Sequence, residues 1–77
     1  MKAEVWTLQG YEEGRGRVNA KRVWVGEVDF LPVKGTRLIL HEGGCSEIVK
    51  DVHYDLAEKN LYIEIHAIDW NDEYKEV

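Results

Sequence analysis

The chain has 77 residues, with 15 acidic against 10 basic side chains and a formal net charge of −5. A length of this order holds one small hydrophobic core, so a single domain over residues 1–77 is expected, and no run approaches the roughly 20 apolar residues that a membrane span needs. The acidic balance opposes non-specific attraction to nucleic-acid phosphates and anionic lipid, while Cys45, the only cysteine, excludes an intrachain disulfide and suits a reducing cytoplasm.

The start, Met1-Lys2-Ala3-Glu4-Val5, lacks the apolar core of a signal peptide, so an intracellular, soluble protein is expected. Chains this short bury only about 60% of the surface exposed when unfolded. Three tryptophans, four tyrosines and Phe30 are the expected source of core mass, because each ring buries roughly 150 to 250 Å².

A first strand is predicted over residues 2–9, where Val5, Trp6, Thr7 and Leu8 suit a pleated, half-buried surface before Gly10 stops the run. Residues 11–21 turn polar and glycine-rich and predict a long mobile loop. Residues 22–30 read as the second strand, with Trp24, Val28 and Phe30 on one parity and Gly26 allowing a close backbone approach. Pro32 and Gly35 break pairing, and residues 37–41 resume as a third strand with Leu38 and Leu40 inward. Paired glycines in Glu42-Gly43-Gly44-Cys45-Ser46 signal a hairpin into a fourth strand over residues 47–54.

Strict alternation in that fourth strand would bury the Lys50 ammonium, at high cost. A bulge in which Lys50 and Asp51 together oppose one partner residue keeps both charges wet and turns Val49, Val52 and Tyr54 to the core. Residues 55–60 form the next hairpin loop, with Asp55 accepting local backbone bonds and Asn60 suited to a left-handed conformation. The fifth strand shows the clearest alternation, Leu61, Ile63, Ile65 and Ala67 facing the core and Tyr62, Glu64 and His66 facing water. Two readings of residues 69–77 stand side by side: a short C-terminal helical turn that brings Trp70 and Tyr74 to one face, or a frayed acidic end in which only Trp70 packs.

Five short strands in mostly sequential connection are better closed than left flat with two edges, so the expected class is an all-β, small five-stranded barrel with a long glycine-rich first loop. The runs Val28-Asp29-Phe30-Leu31-Pro32-Val33-Lys34-Gly35-Thr36-Arg37-Leu38 and Val49-Lys50-Asp51-Val52-His53-Tyr54-Asp55 resemble small Src-homology-3-like (SH3-like) barrels of bacteria, phages and mobile elements. In those proteins a proline and glycine connector leads into a strand, and a paired-valine strand ending in an aromatic residue precedes the next hairpin. The resemblance spans roughly the C-terminal two-thirds of the chain and implies an SH3-like fold, with no shared activity to transfer to named residues.

His41, His53 and His66 lack the compact spacing of a metal motif, so neither a metal nor a cofactor is expected. If Tyr54 opposes Leu61, then His53 opposes Tyr62 on the outer face, near Asp51, Glu64 and His66. This polar aromatic patch, with Trp70, makes His53, Tyr62, Glu64, His66 and Trp70 the candidate binding residues, although cross-strand Tyr and His pairs also serve simply to stabilise a sheet. Arg15, Arg17, Lys21 and Arg22 are the only basic concentration and define a nucleic-acid alternative, with Trp24 or Tyr11 as stacking surfaces. Cys45 and His41 share a hairpin, but no third group orients them, so an enzyme is not expected. The composite expectation is a protein- or peptide-binding module, with a second copy of the chain as one candidate partner and nucleic acid as a lesser one.

Overall fold

A computed structural model describes the backbone of residues 1–8, 11–12, 16–17, 20–66 and 77, and the side chains of residues 1–7, 20–66 and 77. Seven strands follow in order: β1 (Lys2–Leu8), β2 (Tyr11–Glu12), β3 (Gly16–Arg17), β4 (Ala20–Glu27), β5 (Arg37–Ile39), β6 (Ser46–Asp55) and β7 (Asn60–Ile65). The short β2 and β3 pair with each other, antiparallel, inside the stretch expected to be an unstructured loop. The other five strands form one sheet in the order β4-β1-β7-β6-β5, curled strongly into a half-barrel. The fold is therefore all-β and barrel-like over the described residues, with β4 and β5 as the two rims.

Apolar alternation explains the core. Ala3 and Val5 of β1, Val23 of β4, Val49 of β6, and Leu61, Ile63 and Ile65 of β7 are buried on the concave face. Full burial of each large aliphatic side chain contributes about 1.5–3 kcal/mol. Trp24, Val28, Leu38, Leu40 and Val52 pack around them half-buried, as expected of Trp24, Val28, Leu38 and Leu40, whereas Phe30 is 48% exposed and Val23, of the other parity, is buried where the β1/β4 register shifts.

The predicted bulge lies where the charges require it. The β6/β7 register passes from Val49↔Ile65 to Asp51↔Glu64, skipping Lys50, and Lys50 and Asp51 are both exposed. The Asp51 carboxylate accepts the Val52 N–H at 2.9 Å and stabilises the irregular backbone there. A second irregularity, between Val5 and Trp6 opposite β4, adds to the curl.

Several expectations need correction. β4 starts at Ala20 and ends at Glu27, so Lys21 lies in the strand and Phe30 beyond it. The left-handed residue of the β6/β7 turn is Lys59, with φ 54°, while Asn60 is the first residue of β7. The Asp55 carboxylate does cap that turn, accepting from Ala57 N–H at 2.9 Å and Glu58 N–H at 3.0 Å. Tyr54 shares the Leu61 side of the sheet but is 41% exposed, because among the described residues only the 31–34 connector passes over that end of β6. The expected wet face of β7 is covered in part: Glu64 is buried and Tyr62 half-buried, while His66 is exposed as expected. The cause is the parallel pairing of β1 with β7, which puts β7 in the centre of the sheet. The expected turn over residues 69–77 and the inward position of Ala67 lie outside the described residues.

Candidate binding surface

The convex face is assembled by register. Glu4 of β1 sits beside Tyr62 of β7 and Trp6 beside Glu64, while His53 and Asp51 of β6 lie across from Tyr62 and Glu64. The expected pairing of His53 with Tyr62 is the observed one, and the two rings stack with centroids 5.1 Å apart and planes 21° apart. His53 is exposed and Tyr62 half-buried, so the stack presents an imidazole edge to solvent on a fixed aromatic base.

Polar groups hold the rest of that face. Glu4 accepts from Asn60 Nδ2 at 2.6 Å, from Trp6 Nε1 at 3.0 Å and from Arg22 Nη1 at 3.5 Å. Burial pushes its carboxyl up, but the three hydrogen bonds and the Arg22 charge outweigh it and hold the group below its ordinary value. Glu64, expected at the surface, is buried, and Lys50 Nζ reaches back from the bulge to within 3.5 Å of its Oε1.

Beside His53 a groove of about 360 Å³ opens between the connector and β6. Leu31, Pro32 and Val33 form one wall and Val52, His53 and Tyr54 the other. Backbone bonds fix the connector: Gly35 N–H donates to Val49 O and Val49 N–H to Thr36 O, each at 2.8 Å. Thr36 N–H donates to Val33 O at 3.0 Å across a tight turn whose third residue, Gly35, has φ 93°, a conformation that favours glycine. Leu31, Val33 and Tyr54 remain exposed along this groove. Sequence reasoning missed the connector wall because it took Leu31-Pro32-Val33 as a strand breaker; the signal present was an apolar run placed where no strand can bury it.

The remaining expected residues scatter. His66 is exposed, four residues along the chain from Tyr62, which at strand rise is roughly 13 Å. Its N–H donates to Ile48 O at 3.2 Å and its carbonyl accepts from Thr7 Oγ1 at 3.4 Å, so its backbone closes the end of the sheet. Trp70 lies outside the described residues, as do Arg15 and the Arg17 side chain. Lys21 is buried opposite Thr7, and Arg22 is half-buried, bound to Glu4 and, through Nε at 2.7 Å, to the Val77 carbonyl. Trp24 faces the core, with its ring against Gly26. Cys45 is exposed in the β5/β6 hairpin. Among the described residues no helix is long and apolar enough to cross a membrane.

No protein-family model, curated protein sequence or solved structure matches the chain.

Proposed function

We propose that this domain is a protein-binding module that takes an extended segment of a partner into the groove between the connector and β6. One observation carries it: His53, held flat on Tyr62, stands in the wall of a groove whose other residues include the exposed Leu31, Val33 and Tyr54. A groove whose connector wall is tied to β6 by backbone hydrogen bonds, with apolar anchors and a few orienting polar groups, suits an extended peptide. Lys34 and Asp51 both line the groove and can orient a segment carrying charges of both signs. A reducing, cytoplasmic setting fits the single exposed thiol of Cys45.

The test is a titration of the isotope-labelled protein with peptides selected on it from a random display library, followed by amide chemical shifts. Shifts concentrated on Val33, Val52, His53 and Tyr54, with affinity reduced about tenfold or more in Tyr54→Ala, are expected. Selected peptides that shift other surfaces, or bind Tyr54→Ala unchanged, sink the assignment. Single-stranded oligonucleotides in the same titration at low salt test the nucleic-acid alternative, which retains Arg15 and Arg17 as its untested contacts.

A further inference from the structure

The second surface left open is the mouth of the half-barrel. β4 and β5 do not pair with each other, and between them lies an apolar cleft floored by Val5 and Ile63 and walled by Trp24 and Phe30 on one side and Leu38 and Ile39 on the other. At about 130 Å³ it is well below the roughly 300 Å³ at which drug-sized ligands begin to fit. Its rims nevertheless expose large apolar groups, Ile39 at 66% and Phe30 at 48%. A shallow apolar surface with protruding rims fits another protein surface better than a small molecule.

Charge and strand direction identify the occupant. The β4 side of the mouth carries the exposed acid Asp29, with Glu27 held by the Met1 ammonium at 3.0 Å, and the β5 side carries the exposed Arg37. β4 runs antiparallel to β1, β7 parallel to it, β6 antiparallel to β7 and β5 antiparallel to β6, so the two rims run in opposite directions. A twofold axis along the strands would set the β4 rim of each copy against the β5 rim of the other, antiparallel, with unlike charges facing. Among the described residues, the outer edge of β5 has no backbone partner, and on β4 the Arg22 carbonyl accepts the Val77 N–H at 2.9 Å.

We infer that the occupant is a second copy of this chain, giving a symmetric dimer in which the two mouths face each other and Arg37 of each copy meets Asp29 of the partner subunit. The dimer buries Ile39 and Phe30, completes both cores and covers the β5 edge, which has no partner among the described residues and otherwise invites aggregation. The mouth and the groove beside His53 share no lining residue, so dimerisation and peptide capture can be tested separately.

Sedimentation velocity from about 1 µM to about 1 mM reads the association directly, a range that spans weak to moderate dimers. A concentration-dependent dimer is expected, weakened about tenfold or more by Arg37→Glu alone and by Asp29→Arg alone, with dimerisation restored when both are combined. Ile39→Asp should give monomer throughout, and because Arg37, Asp29 and Ile39 are all exposed, an unchanged amide spectrum at low concentration verifies that each variant folds. Wild-type protein that stays monomeric to the top of the range overturns the inference, whether the mouth is then filled from within the chain or stays open. So does a dimer indifferent to Ile39→Asp, or a double charge variant no tighter than either single one.

Discussion

Asn60 Nδ2 donates to Glu4 Oε2 across 2.6 Å, joining the first residue of β7 to the middle of β1 on the convex face. The same carboxylate gathers Trp6 and Arg22, so one side chain ties β4, β1 and β7 together where the sheet pairs parallel. Parallel pairs are slightly less stable per residue than antiparallel ones, and a charge-assisted clip is well placed there.

Glu4 therefore links stability to pH. Its folded carboxyl lies below the ordinary range, so its contribution is complete above the unfolded value and is lost as pH falls through the folded one. Glu4→Gln should cost about 1.5–3 kcal/mol near neutrality, the usual worth of hydrogen bonds to a charged group. Denaturant melts of both proteins should converge as the solution is acidified below the carboxylate range. A gap that stays constant with pH would contradict the assignment.

Gly26 is required by contact. A Cβ built there meets the Trp24 ring at 2.7 and 2.8 Å, so Gly26→Ala must displace the indole that walls the mouth. A loss of about 1–3 kcal/mol is expected, with a changed Trp24 environment visible by fluorescence in a background lacking the other tryptophans. An unshifted spectrum with wild-type stability would show that the ring is not fixed.

Asp51→Ala tests the bulge. Without the carboxylate the Val52 N–H loses its partner at 2.9 Å, and a cost of about 1 kcal/mol is expected together with faster hydrogen exchange at Val52. Exchange unchanged at that amide would mean that the bulge is held by the ladder alone.

A double-mutant cycle on His53→Ala and Tyr62→Ala should return a coupling of about 0.5–1 kcal/mol, as cross-strand ring pairs do. Additive losses would mean that the stack contributes nothing to the fold. The groove would then have to be held by the connector alone.

Much of the architecture was legible because charge and alternation leave little choice. Lys50 cannot go indoors between Ile48 and Val52, which forces a bulge, and once that is granted the pairing of His53 with Tyr62 follows by counting from the turn. What stayed hidden was long-range. Nothing in the pattern of Glu4 or Glu64 announces that β1 lies against β7, so Glu64 read as a surface acid when it occupies a central strand. The turn chemistry erred by one residue for a local reason, since Asp55 already closes the loop and leaves Lys59, not Asn60, to take the left-handed step. At Leu31-Pro32-Val33 the proline dominates the local pattern and masks the two apolar neighbours that line the groove.

The junction of β1 with β7 also dictates an order of assembly. The hairpin of β6 and β7 needs only a four-residue turn and can form on its own, whereas β1 has two flanks, and the second exists only once Ile63 and Ile65 have been synthesised. A nascent chain halted in the β6/β7 turn would hold Val5 and Ala3 against β4 alone, with their inner faces wet. β1 must therefore wait for β7, and contacts that reach so far along a chain are gained slowly. Early release or a cut before β7 should leave a collapsed, chaperone-dependent fragment instead of a smaller stable domain.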